Sequence, residues 1–246
     1  MKIMIKKMIK KLLPSFIINF INNLLNRTHA FLMWDPCINY SYSQEGEDMV
    51  LKRIFENKIG FYIDVGAHHP KRFSNTHLLY KKGWKGINID ALPGSMKLFN
   101  KIRPRDINLE MGVAEVEDML NYYVFNEPAL NSFSEELSKE RDKFKDQYFI
   151  KEVIKVKVKR LDTILDTHLL NNEIDFLNID VEGLDYDVLK SNNWHKYRPR
   201  FVLVEIINSS LHDLDNHPIV KYMKEKNYSM YAKQVYTIFF LDNHHN

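Results

Sequence analysis

The chain has almost no cysteine: Cys37 is the single thiol in 246 residues. That excludes an internal disulfide and a cysteine-based zinc cluster, and it points to a reducing, cytoplasmic compartment. No apolar run reaches the length of a membrane span. Neither G-x-G-x-x-G nor G-K-[ST] occurs, so a turn built to cradle a pyrophosphate is unsupported. A strong overall charge is also missing. The formal net charge is +3, and Lys2, Lys6, Lys7, Lys10 and Lys11 leave the remaining residues at −2. Nothing global therefore argues for a nucleic-acid partner.

What is present is an ordinary globular composition, 45% hydrophobic and 27% charged, enough for one α/β domain with a full core. Residues 1–40 read as an extension and residues 41–246 as that domain. The extension opens with a basic amphipathic helix over residues 1–13, in which Met1, Met4, Ile5, Met8, Ile9 and Leu12 recur at helical spacing. Pro14 interrupts it, and a second apolar stretch runs from Phe16 to Leu25, diluted by Asn19, Asn22 and Asn23. Those asparagines, and the lack of a small-residue cleavage site, argue against a signal peptide. Two readings stay open. Residues 1–25 contact an anionic membrane surface at the inner face, or the helix packs on the domain or on a second subunit.

The informative stretches are strands that end in acids. Phe61-Tyr-Ile-Asp-Val begins as a short apolar run of the kind buried on both faces of a parallel sheet, then stops at Asp64, Gly66 and Ala67. Gly86–Asp90 is a second such run, ending in an acid 26 positions after Asp64. That spacing is near that of the acid that binds ribose hydroxyls in dinucleotide folds, roughly 20 residues on. Ile174–Ile179 leads to Asp180, Glu182 and Gly183, and Phe201–Val204 leads to Glu205. In open α/β sheets ligands bind beyond the carboxyl ends of the strands, so Asp64, Asp90, Asp180 and Glu205 should meet at one crevice. A ribose-binding acid without a phosphate cradle points to a nucleoside ligand, with S-adenosylmethionine the leading candidate.

Around these strands, Ser43 is the expected N-cap of a helix reaching Phe55, Ser74 or Asn75 caps a helix through Tyr80, and Pro93 starts one through Phe99. The acids at Glu45, Glu47 and Asp48 are explained by capping. A third strand is expected over Asp106–Gly112, an edge strand over Met119–Phe125 and a half-exposed strand over Val153–Val158. Residues 126–150 break the rhythm and read as a functional loop or lid. Helices over Leu184–Lys190 and His217–Lys226 and strands over Ser229–Lys233 and Val235–Leu241 complete the reading.

Several stretches together resemble the FkbM family of S-adenosylmethionine-dependent methyltransferases. They are SQEGED at Ser43–Asp48, YIDVGAHHP at Tyr62–Pro70, SNT at Ser74–Thr76, GWKGINIDALPG at Gly83–Gly94 and FLNIDVEGLDYDVL at Phe176–Leu189. The resemblance covers roughly residues 41–240. It implies an α/β, Rossmann-like class I methyltransferase fold: a mostly parallel, doubly wound sheet whose last strand is antiparallel, here with an N-terminal helical extension. It implies sugar or polyketide O-methylation, and for this pattern a nucleotide-activated sugar such as a heptose, in capsule or lipopolysaccharide synthesis.

Carried over residue by residue, the resemblance puts Asp64, Gly66 and Ala67 at the methionine and ribose end of the cofactor, Asn75 and Thr76 nearby, and Asp90 and Ala91 at the ribose. Asn108, Gly112 and Val113 become the adenine side, and Asp180 and Glu182 stand beside the reactive methyl. His68-His69-Pro70 departs from the general methyltransferase motif, which often has a second glycine near Pro70. Proton removal from a sugar hydroxyl needs a base, and His68, His69, Asp180, Glu182 and Glu205 are the candidates. Asp180, Glu182 and Glu205 could instead take Mg²⁺ through their oxygens, but no dedicated motif supports a metal and no ligand is assigned. Two alternatives remain open: a methyltransferase of a non-sugar small molecule, and a catalytically idle nucleoside-binding scaffold at a membrane. A homo-oligomer is among the expected arrangements.

Overall fold

The computed structural model describes residues 14, 16–17, 19–20, 24, 37–143, 146–170, 172–207 and 210–245. The chain divides into two compact units, residues 1–40 and 41–246. The expected basic helix over residues 1–13 lies outside the described residues. Among the described residues no helix is long and apolar enough to cross a membrane.

Residues 41–246 carry a seven-stranded sheet and a three-stranded one. The first contains β1 (Phe61–Val65), β2 (Lys85–Asp90), β3 (Ile107–Glu110), β7 (Phe176–Ile179), β8 (Phe201–Glu205), β9 (Tyr228–Lys233) and β10 (Thr237–Asp242) in the order β3-β2-β1-β7-β8-β10-β9. The pairs β3–β2, β2–β1, β1–β7 and β7–β8 are parallel, and the last strand, β10, runs antiparallel to β8 and β9. This is the Rossmann-like arrangement expected. The second sheet sets β6 (Ile150–Lys159) between β4 (Gly112–Val113) and β5 (Asp118–Phe125). The expected third strand thus splits at Met111, its end passing from one sheet to the other.

Strand periodicity explains where the core and the polar groups go. Ile63, Val65, Ile87, Ile89, Leu177, Ile179, Val202, Val204, Ile238 and Phe240 alternate onto one face and form the larger core with α5 (Leu161–His168), α6 (Asp185–Lys190) and α7 (Pro218–Glu225). On the other face Tyr62, Phe176, Phe201, Leu203 and Phe239 pack with Phe55, Trp84 and residues of α1 (Glu47–Ile54) and α2 (His77–Lys81). That second face is aromatic at the start of the strands and polar at their ends. Asp64, Asn88, Asn178, Asp90 and Glu205 all share the parity of its residues, and Asp64 pairs in register with both Asn88 and Asn178. A polar row of this kind forms the floor of the site.

Several boundaries differ from the sequence reading. Helix α1 begins at Glu47 behind Gly46, whose φ is 89°, so Ser43 is not its cap. Its hydroxyl instead accepts from the Asp48 N–H at 3.2 Å, while Asp48, fully buried, takes bonds from Ser41, Tyr42 and Ser43. Helix α3 spans Met96–Ile102 rather than starting at Pro93, because Leu92–Ser95 closes a turn first. Helix α2 starts at His77 with Thr76 at its N-cap position, so neither Ser74 nor Asn75 is the cap; Ser74 Oγ does accept from the His77 N–H at 3.1 Å. Helix α5 was missed, since its apolar residues Leu161, Ile164 and Leu165 follow directly on a strand with no break in composition. Residues 126–150 form a short 3-10 turn, Pro128–Leu130, and helix α4 (Glu135–Arg141).

Candidate active site

The strands β1, β2, β7 and β8 end at one cavity of about 450 Å³, within the size range of ligand pockets. Asp64, Asp90, Asp180 and Glu205 all line it, as the strand-end argument requires. Gly66, Ala67, His68, His69, Asn75, Ala91, Gly112, Val113 and Glu182 line it too. Gly66 is obligatory: its φ is 82°, and a Cβ there would stand 1.7 Å from the Asp180 carbonyl oxygen. The close approach of the β1 and β7 ends depends on that missing side chain.

Two expected residues are not on the wall. Asn108 accepts from Asn88 at 2.8 Å and donates to Asn100 at 2.9 Å, so it braces β3 behind the cavity. Thr76 is fully buried and reaches the site through its neighbours, above all Asp64, to which its hydroxyl donates at 2.7 Å. In place of Asn108 the wall is completed by Leu92, Met111, Tyr122 and Phe133. Tyr122 and Phe133 lie with ring centroids 4.6 Å apart and pack with Leu92 and Ala91. Sequence reasoning missed them because they come from the second sheet and the 126–150 segment, far along the chain. Gln44 was missed as well; it reaches the cavity from the loop that buried Asp48 fastens. The signal lay in SQEGED, whose amide directly precedes the acids.

The cavity's acids fall into two kinds. Asp90 accepts from the His68 N–H at 2.8 Å and the Leu92 N–H at 2.9 Å. Burial raises its pKa, and those amides work against the rise. Asp64 accepts from Thr76 and from Asn178 Nδ2 at 3.0 Å, and Asn178 is itself held by Asn75 at 3.0 Å. The carboxylates of Asp180 and Glu205 accept no hydrogen bond from any described residue. With Glu182 they bring one carboxylate oxygen each within 4.8 Å of one another. Burial first, then the charges of Glu182 and Asp185, push Glu205 up to about 8; burial and the nearby Glu205 raise Asp180 well above the usual carboxylate range.

Glu182 is different again. Its carboxylate pairs with Arg141 of α4 at 2.5 Å, and its carbonyl accepts from Ser132 Oγ at 2.6 Å. The 126–150 segment is therefore tied to the turn after β7, and Arg72 ties it to the loop after β1 through both oxygens of Glu127, at 3.1 and 3.2 Å. Residues Pro128–Asn131 and Phe133 of this segment line the cavity.

The histidines also separate. His69 Nδ1 accepts from the Lys71 and Arg72 N–H groups at 3.0 and 2.9 Å, which commits it to shaping the loop. His68 sits at φ 50°, and its buried Nε2 has no partner among the described residues. Burial and the Arg72 charge lower its pKa, so the ring is neutral near pH 7. Its N–H bond to Asp90 ties its backbone to the β2 end. Of the four non-glycine residues with positive φ among those described, His68, Phe73 and Glu182 line the cavity. Strained backbone concentrated at one site marks it as functional.

Such a cavity can hold a nucleoside against the β2 end and its aromatic wall, with unpaired acids left for a second reactant at the β7 and β8 ends. Residues 64–230 match the family model described as the methyltransferase FkbM domain. No curated protein matches the chain.

Proposed function

The chain belongs to the methyltransferase FkbM domain family and is a methyltransferase; from that premise we propose that it uses S-adenosylmethionine to methylate a hydroxyl of a sugar. The acceptor we favour is a nucleotide-activated sugar such as a heptose, in the synthesis of a surface polysaccharide. The supporting observation is the division of one cavity into a hydrogen-bonded nucleoside end and an end with unpaired carboxylates.

The residues fit the cofactor. Asp90 can accept from the two ribose hydroxyls while its backbone donors hold it in place, and the Tyr122–Phe133–Leu92 wall offers an apolar, aromatic surface for a base. The Gly66 turn lets backbone come close to the ligand. Asp64 faces the amino end. When bound, the cofactor supplies an electrophilic methyl on a sulfonium, already a good leaving group.

The chain's own tasks are then to align the acceptor oxygen and to take its proton. Asp180 and Glu205 suit the second task as a pair: burial raises both, and the one that is ionised is a stronger base than a free carboxylate. Glu182 has its carboxylate engaged by Arg141, so its role is to fix the 126–150 segment over the acceptor. His68 is a neutral acceptor near the ribose, and His69 shapes the loop.

Incubation with S-adenosylmethionine and a panel of nucleotide sugars, read by mass spectrometry for the gain of one methylene, tests the reading. Methylation of a polyketide alcohol but of no sugar would replace the acceptor class. No binding of S-adenosylhomocysteine in calorimetry would remove the cofactor. Loss of activity in EDTA, restored by Mg²⁺, would make Asp180, Glu182 and Glu205 metal ligands instead.

A further inference from the structure

Behind the floor of the cavity lies a charged group that the reaction does not touch. Arg103, the residue that ends α3, has no exposed surface. Its Nε donates to Asp106 at 2.9 Å, and one terminal nitrogen donates to both Tyr62 Oη at 2.5 Å and Thr76 Oγ1 at 2.8 Å. The other terminal nitrogen is 3.4 Å from Ser74 Oγ. The rings of Tyr62, Tyr80 and Phe99 surround the guanidinium. A buried ion pair of this kind is weak evidence for stability, since an apolar packing of similar volume often does as well. Its partners suggest another use.

Thr76 has one hydroxyl proton. Because Arg103 donates into Thr76 Oγ1, that proton is free to go to Asp64 Oδ2, 2.7 Å away. On the opposite side Asn75 donates to Asn178, which donates to Asp64 Oδ1. Both oxygens of Asp64 are thus held in fixed directions by donors that favour its ionised form, although it is only 2% exposed. Arg103 opposes the upward push of burial on Asp64; Asp106, facing the same group, adds to it. The other charged or titratable neighbours are Tyr62 on β1, Asp90 at the β2 end and Asp180 after β7.

We propose that Arg103 is a positioning residue of the cofactor site: acting through the Thr76 hydroxyl, it keeps Asp64 oriented as the counter-charge for the amino group of the cofactor. The proposal rests on the cofactor reading above and adds to it a residue that never touches the ligand. Lysine cannot replace it, because a single ammonium does not span Asp106, Tyr62 and Thr76 as the planar fork does.

The test is calorimetric titration of S-adenosylhomocysteine into the full chain and into Thr76→Val, Thr76→Ser and Arg103→Lys, with near-UV circular dichroism to check folding. The wild type and Thr76→Ser should bind equally between about pH 6 and about pH 8. Thr76→Val and Arg103→Lys should bind about tenfold more weakly at the acid end and recover as pH rises, because Asp64 without its donor takes up a proton. Thr76→Val removes a single oxygen, so it decides the matter even if Arg103→Lys fails to fold. Folded variants with the wild-type affinity and pH profile would overturn the proposal, and so would an equal loss at every pH that Thr76→Ser does not rescue. A wild type that binds no S-adenosylhomocysteine at all would defeat the cofactor reading itself, and the proposal with it.

Discussion

The two ends of the cavity are built on opposite electrostatic plans. At the β1 and β2 ends every acid is satisfied: Asp64 by Thr76 and Asn178, Asp90 by two backbone amides. At the β7 and β8 ends Asp180 and Glu205 stand close together without donors among the described residues, with Glu182 beside them held by one arginine. A binding surface gains from the first plan, because dipoles fixed in advance need not reorganise when the ligand arrives. A proton acceptor gains from the second, because a carboxylate that is poorly solvated and repelled by its neighbour takes a proton more readily. One cavity therefore separates holding from reacting, and the separation can be tested by removing groups from each end.

The largest effect should come from the reacting end. Asp180→Asn or Glu205→Gln should lower turnover by about 10²–10⁴-fold in at least one case, with S-adenosylhomocysteine affinity unchanged. If both variants turn over normally, the distinction between the ends is wrong and His68 becomes the next base to examine. At the holding end, Asp90→Ala should do the reverse. Hydrogen bonds to charged groups contribute about 1.5–3 kcal/mol each, so S-adenosylhomocysteine should bind at least about tenfold more weakly, with turnover at saturating cofactor little changed. Calorimetry and saturation kinetics on the same preparation would show whether the two losses are separable.

Glu182 lies between the plans. Because its carboxylate is taken by Arg141, Glu182→Gln and Arg141→Met should each raise the acceptor KM more than they lower kcat, and by less than Asp180→Asn lowers turnover. A kcat loss as large as that of Asp180→Asn would make Glu182 a base rather than a tether.

The smallest effect concerns stability. Glu205 is raised to about 8 in the folded protein, above an unfolded carboxylate, so the folded state binds the extra proton. Its contribution is present in full below the unfolded pKa and is lost as pH rises through about 8. Glu205→Gln, which cannot ionise, should therefore melt a few degrees above the wild type near pH 8, and the gain should shrink toward about pH 5. A gain of equal size at both pH values would mean that Glu205 is not strained by its charge.

The order of buried strands and the meeting of their terminal acids were readable because both follow from local facts. An apolar run of five or six residues that stops at an acid is a complete strand signal, and parallel strands must all end on the same side of the sheet. The family resemblance followed from the same stretches. What distance along the chain concealed was the rest of the wall. Tyr122 reaches the cavity only because β5 pairs with β6 in a second sheet, Phe133 only because the 126–150 segment bridges back to β5 at Tyr123 and Ser132, and Gln44 only because buried Asp48 holds the loop before α1. Asn108 was placed on the wall by its position near the end of β3, yet its amide turns to Asn88 and Asn100.

The sequence by itself determined which residues carry charge at the strand ends, since hydrophobic periodicity fixes both the strand and the point where it stops. Only the tertiary structure decided what each charge is for. Asp64, Asp90, Asp180 and Glu205 look alike as letters; neighbours from other elements make two of them satisfied acceptors and leave two without donors among the described residues. The pKa of a buried acid is set by its desolvation and by the donors and charges around it, and those groups are brought together by folding rather than by spacing.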